Sequence, residues 1–208
     1  MSHYFEEQPA TASQPRTVEL WLPDMSVTLV TDRGVFGHGQ VDAGSKLLLL
    51  RAPALPPTGN LLDVGCGVGT LTIPMARRCP EAVVWAIDVN RRALDLCRTN
   101  AAANSADNVR VVSPEEVPDD LRFDRIWSNP PIRIGKPALH DLLSTWLRRL
   151  TPSGHAALVV QKHLGSDSLQ RWLTEQGWTT QRAASSSGYR VLVVKSASPG
   201  GVDLDPDA

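Results

Sequence analysis

Residues 61–71 read LLDVGCGVGTL: an apolar run closing on an aspartate, then glycines at 65, 67 and 69 before apolar character resumes. The run has the length of a strand buried on both faces, and the glycines let the backbone turn sharply into a following helix. The same rhythm repeats downstream. Apolar runs AVVWAID (82–88), VRVVS (109–113), FDRIWS (123–128), AALVVQ (156–161) and YRVLVVK (189–195) alternate with helical segments near 70–78, 91–104, 137–150 and 166–176. Strands of this kind separated by helices predict an α/β fold with a doubly wound, Rossmann-like sheet, mostly parallel. The last two runs, GWTTQRAAS and GYRVLVVKS, follow each other through Ser185–Gly188 with no helix between, so an antiparallel strand is expected near the C-terminus.

Upstream the pattern differs. Residues 1–16 are rich in Pro, Ser, Gln and Thr and read as a flexible arm; residues 17–39 alternate about Pro23-Asp24 and predict a hairpin of 18–22 and 27–31. Asp42-Ala43-Gly44-Ser45 leads into KLLLLRAPAL, a short helix stopped by Pro53, Pro56 and Pro57. Residues 17–58 therefore form a small N-terminal hairpin and helix packed on a core of 59–196, and SPGGVDLDPDA within 197–208 reads as a disordered acidic tail. The 208 residues suit one large domain, with 42% hydrophobic and 21% charged residues. The tail holds three of the 22 carboxylates, leaving 21 basic against 19 acidic side chains in the body, a balance that neither demands nor forbids nucleic acid.

Cys66, Cys79 and Cys97 are odd in number and lack metal or redox spacing, so they are expected as reduced thiols in a cytoplasmic protein. The five histidines show no ligand spacing, and no metal is expected. No apolar run approaches the roughly 18 residues of a membrane span, so no membrane partner is expected.

In an open α/β sheet the ligand lies at the carboxyl ends of the strands, where the strand order reverses. The loop Asp63, Gly65, Cys66, Gly67, Gly69 is the candidate cradle, and Asp88 with Val89, at the end of the second strand of the core and 23 residues past Gly65, is the candidate ribose anchor. A nicotinamide dinucleotide would require glycine where Thr70 stands, and Asp63 would repel a pyrophosphate while tolerating a sulfonium and an amino group. S-adenosyl-L-methionine fits this loop better. Cys66 reads as a small packed residue within it, and Glu115, after the third core strand, is placed to accept from an adenine amino group.

A second loop supplies the acceptor half. In RIWSNPPIRIGK, Asn129-Pro130-Pro131 follows a strand directly. An exocyclic amine is a poor nucleophile because its lone pair is delocalised. If the Asn129 amide oxygen and the Pro130 carbonyl each accept one N–H, that pair localises on nitrogen, and Pro131 stiffens the loop.

LLDVGCGVGTL, WAIDVN and WSNPPIRIGK resemble the motifs of class I S-adenosylmethionine-dependent methyltransferases. HYFEEQP, TDRGVFGHGQVDAGSKLLL and GYRVL extend the likeness to the branch containing the small-subunit ribosomal RNA guanine-N2 methyltransferases, over about residues 3–195. The resemblance implies cofactor contacts at Asp63, Gly65, Gly67, Asp88 and Glu115, and Asn129 and Pro130 at an acceptor amine, with ribosomal RNA or a ribosomal subunit as partner. Many members of that branch carry an additional N-terminal domain, a degenerate copy of the catalytic one, and often an aromatic residue where Ile132 stands. Ile132, Arg133, Lys136 and Lys162 are the candidate substrate-binding residues, the cations forming a basic rim with His163 and Arg190. Phe36, in the GVFGHG turn, is expected to be a core aromatic, with stacking on a cofactor or base as the alternative. A protein glutamine, a small-molecule amine, or a silent role in RNA assembly are the alternatives to an RNA amine.

Overall fold

The computed structural model describes residues 11–196; most of the expected arm and all of the expected tail lie outside them. A hairpin of β1 (Arg16–Trp21) and β2 (Ser26–Thr31) precedes α1 (Ala43–Arg51). The core follows as β3 (Thr58–Val64), α2 (Thr72–Arg78), β4 (Glu81–Ile87), α3 (Arg91–Ala103), β5 (Val109–Val112), β6 (Phe123–Ser128), α4 (Lys136–Leu147), β7 (Leu150–Gln161), α5 (Ser166–Glu175), β8 (Trp178–Ser186) and β9 (Tyr189–Ser196). Its seven strands order as β5-β4-β3-β6-β7-β9-β8. The strands from β5 to β7 are parallel, and β9 runs antiparallel to both β7 and β8, as the missing helix between the last two runs predicts.

Alternation along each strand sorts the core into two layers. Leu61, Val84, Trp127, Ala157, Val159 and Val191 face the layer that holds the hairpin, α1 and α2. Leu62, Ile87, Ile126, Leu158 and Leu192 face the layer of α4 and α5, where Leu139, Leu143, Trp146, Leu169 and Leu173 close it. Helices on both faces explain why the strand sequences carry so few polar residues.

The hairpin is docked by amides rather than by a continued sheet. Asn100 of α3 accepts from Val30 N at 2.8 Å and donates to Val30 O at 2.9 Å, and Asn104, one turn on, donates to Thr28 O at 2.9 Å. These two side chains satisfy the edge that β2 turns towards the core. At the other end Arg78 grips Asp24 through two bonds of 2.8 and 3.0 Å.

One feature differs from expectation. β7 begins at Leu150, well before the apolar run at 156, because Gly154 slips past the Phe123 carbonyl, which a Cβ would meet at 2.8 Å. Of the six tryptophans, Trp127 and Trp146 are buried and Trp85, Trp172 and Trp178 pack partly buried against the core, while Trp21 is 66% exposed on the hairpin.

Candidate active site

The chain leaves β3 for β4 and β5 on one side, then returns to lay β6 against the other side of β3. The strand order reverses between β3 and β6, where such sheets bind ligands. The glycine loop and the Asn-Pro-Pro turn are therefore adjacent. Val64 pairs with Ser128 at the strand ends, and the buried Ser128 hydroxyl donates to the Val64 carbonyl at 2.7 Å, pinning the two loops together.

The glycine loop is held over β4 by Gly65 N and Cys66 N, which both donate to the Ile87 carbonyl at 2.9 Å. Gly65 and Gly67 adopt positive φ of 76° and 53°, and a Cβ on either would meet nothing within 4 Å. That empty space opens into a cavity of about 550 Å³, within the range of roughly 300–1,000 Å³ typical of small-molecule sites. Gly65, Gly67, Ile87, Asp88, Val89 and Pro114 line one end of it; Asn129, Pro130, Pro131, Ile132, Arg133 and Tyr189 line the other. The residues present thus fit an adenosyl group laid across the strand ends, with open room beside the glycines and a carboxylate at the end of β4.

Asp88 is prepared for that task. Its Oδ2 accepts from Gly67 N and its Oδ1 from Asn90 N, both at 2.9 Å, so each oxygen keeps capacity for a further donor. Burial pushes its carboxyl above the usual range, an effect opposed by the N–H groups of Asn90, Gly67 and Val89. Asp63 sits deeper, fully buried beneath the loop. Thr72 donates to its Oδ2 at 2.6 Å, its Oδ1 has no partner, and desolvation raises its pKa to about 7.

The acceptor turn is equally specific. Pro131, at φ −75° and ψ 75°, centres an inverse γ-turn in which Ile132 N donates to the Pro130 carbonyl at 2.8 Å. A carbonyl carries two lone pairs, so Pro130 O keeps one for a ligand. The Asn129 Nδ2 donates to Asp42 Oδ2 at 2.8 Å and to Ser45 Oγ at 3.0 Å. Both of its N–H bonds are thereby committed.

Several residues singled out in the sequence stand elsewhere. Asp63, Cys66, Gly69, Glu115, Lys136 and Lys162 are not among the lining residues. Cys66 packs with Cys97, Ala86 and Leu94, and the neighbouring Cys97 thiol together with burial pushes its own thiol well up, as suits a packed residue and not a nucleophile. Gly69 is a packing glycine, its missing Cβ pressed between Cys97 and Ile73 at 3.2 Å. Glu115 lies with Pro114 on an exposed turn after β5. Arg190 turns away from the cavity to Asp167 and to Ser166 Oγ at the start of α5, which removes it from a basic rim. Phe36 is not a core aromatic: it is 47% exposed and lines the cavity, while its neighbour Val35 is the residue of this segment that joins the core.

Sequence reading missed the N-terminal contribution. Val35, Gly37, His38, Gln40 and Asp42 all line the cavity, and Asn90 Nδ2 anchors the segment by donating to the Gly34 carbonyl at 2.8 Å. The run of glycines at 34, 37 and 39 was the available signal. Gln161 and Tyr189, from β7 and β9, complete the acceptor end. Among the described residues no group of His, Cys, Asp or Glu is placed to hold a metal ion, and no helix is long and apolar enough to cross a membrane.

A glycine loop and an Asn-Pro-Pro turn facing each other across the switch point of this sheet define an S-adenosylmethionine-dependent methyltransferase of class I. Residues 26–193 match the methyltransferase small domain, and the chain belongs to that family. It is 32% identical to the uncharacterized Bacillus subtilis protein YbxB over 93% of this chain and 98% of that one. It is 35% identical to ribosomal RNA small subunit methyltransferase C of Pseudomonas syringae pv. tomato over 88% of this chain, but spans only 55% of that relative's length. Its fold is similar to that of the T. thermophilus 16S rRNA guanine-N2 methyltransferase in complex with AdoMet and guanosine, with a TM-score of 0.73 and 24% identity, covering 89% of this chain and 51% of that one.

Proposed function

We propose that the protein transfers a methyl group from S-adenosylmethionine to an exocyclic amine, with guanine N2 of ribosomal RNA as the acceptor. The observation that carries this reading is the Asn129 side chain: its nitrogen is tied back to Asp42 and Ser45, so its oxygen is the atom left for an incoming N–H at the cavity. Bound at the glycine loop, the cofactor supplies an electrophilic methyl on a sulfonium. The chain does the rest. Asp88 takes the ribose hydroxyls, and Gly65 and Gly67 admit the backbone to close approach. The Asn129 oxygen and the free lone pair of Pro130 O orient the amine and draw its protons, which raises electron density on nitrogen as it attacks. No strong base is required, since the methylated amine sheds its proton readily.

The acceptor's identity rests on the relatives named for ribosomal RNA methylation and on Arg133, an exposed cation on the cavity wall suited to a phosphate. Labelled methyl transfer to ribosomal RNA and to assembled subunits, followed by nucleoside mass analysis, tests it. The expected product is N2-methylguanosine; label confined to protein or to a small amine would refute the RNA acceptor. In the same assay Asn129→Ala should lose at least about a hundredfold in turnover while cofactor affinity stays within about twofold.

A further inference from the structure

The chemistry above takes the Asp42 and Ser45 bonds to Asn129 as given; the motif VDAGS (41–45) that supplies them and Tyr189 at the start of β9 converge behind that residue. Asp42 is the N-cap of α1: its Oδ2 accepts from Ser45 N at 2.8 Å and also from Asn129 Nδ2 at 2.8 Å. Its Oδ1 accepts from the Tyr189 hydroxyl at 3.2 Å, and that hydroxyl accepts in turn from Gln161 Nε2 at 2.8 Å. Ser45 Oγ takes the second Asn129 N–H. Gly44 makes the arrangement possible, since a Cβ there would strike the Tyr189 ring at 2.6 and 2.7 Å and Asp42 Oδ2 at 2.9 Å.

We propose that Asp42, with Ser45 and Tyr189, positions the Asn129 amide so that oxygen and not nitrogen faces the acceptor. An amide's two ends are nearly isosteric, and rotation by 180° about χ2 would exchange an acceptor for a donor and repel an amine. An ionised carboxylate accepts only, so it can hold the NH2 end and not the oxygen end. The direction of the bond therefore sets the direction of the amide. This also explains why the N-terminal module belongs to the reaction: the cap of α1 supplies a backbone bond to its own helix and a side-chain bond to a turn 87 residues away.

The kinetic part rests on the amine-transfer reading; the orientation itself does not. Asp42→Ser keeps a good N-cap for α1 but is too short to reach Asn129. The expected result is a loss of tenfold or more in kcat, with cofactor KM and thermal midpoint unchanged, and recovery of most of the turnover in Asp42→Asn, whose amide oxygen can again accept. A purely structural role would lower the midpoint and would not separate kcat from KM. The second arm needs no acceptor. The Asn129 side-chain NH2 resonances, identified by their absence in Asn129→Ala, should exchange slowly with solvent in the parent protein and rapidly in Asp42→Ser.

Identical exchange in parent and Asp42→Ser overturns the proposal, as does an unchanged kcat despite faster exchange. If the parent protein methylates no RNA or free amine, the proposed function falls, and the exchange arm alone decides whether Asp42 holds the amide.

Discussion

Asp63 shows at a single residue how burial and charge trade against each other. Its carboxyl is pushed to about 7 by desolvation, with the Asp88 charge acting in the same direction and the Thr72 hydroxyl opposing. The folded pKa is therefore above the ordinary 3.8, and the unfolded chain ionises first as pH rises. The protein binds more protons than its unfolded form between about pH 4 and 7, so this residue's stabilisation is full below that window and lost through it. Asp63→Asn should gain on the parent protein by roughly 2–4 kcal/mol between pH 5 and 8 without cofactor, read by urea denaturation. A difference flat in pH would show that the carboxylate is ionised and served by a partner such as ordered water. The sequence reveals the acid at the strand end. It does not reveal the depth of burial, which arises from Thr72 and α2 closing beneath the loop. Phe36 leaves a choice between core packing and ligand stacking for a related reason: apolar character fits a core and a cavity wall equally. Phe36→Ala should weaken cofactor binding about three- to tenfold in calorimetry, the loss of about 1 kcal/mol of apolar cover. Unchanged affinity would mean that the 32–41 segment does not close on the cofactor.

Elements were legible where their signal is local. The hairpin followed from alternation about Pro23-Asp24, and β3 through β6 from apolar runs bounded by turn residues, because strand period and turn chemistry act over a few residues. How the hairpin docks was hidden. Asn100 and Asn104 on α3 stand in for a neighbouring strand, and nothing in a helix sequence marks an amide that serves residues about 70 positions earlier. Asn100 is buried, bonding Val30 N, Val30 O and, at 2.9 Å, the Val68 carbonyl beside the glycine loop. Asn100→Ala leaves those backbone groups unpaired and should cost about 2–4 kcal/mol in chemical denaturation. Hydrogen exchange at Val30 should accelerate more than at Val64 of the central strand. Equal acceleration at both would place the loss in global stability instead of hairpin docking. The start of β7 at Leu150 was illegible for a different reason: TPSG reads as a turn, and only the absent Gly154 Cβ beside the Phe123 carbonyl lets it continue as strand.

Across the whole molecule, the sheet order turns two separated motifs into neighbours and brings the N-terminal segment over both. The cavity draws walls from residues 35–42, from the glycine loop, from the end of β4, from the Asn-Pro-Pro turn and from β7 and β9. Doubly wound topology and the position of the cofactor loop followed from strand–helix alternation, but the sharing of one cavity between hairpin module and core did not: the glycines at 34, 37 and 39 mark a tight turn without saying what it covers. The sharing has a thermodynamic consequence. A ligand that binds only the folded form at about a hundred times its Kd adds roughly 2.7 kcal/mol, or about 5–10 °C in midpoint for a chain of this size. If both modules form the site, S-adenosylmethionine should slow hydrogen exchange in residues 32–42 as well as in 64–69 and 128–135. Asp88→Ala should abolish the midpoint shift and both sets of protection together, because the ribose anchor is common to them. Protection confined to 64–69 would separate the cofactor site from the N-terminal module and leave Asp42 serving the acceptor alone.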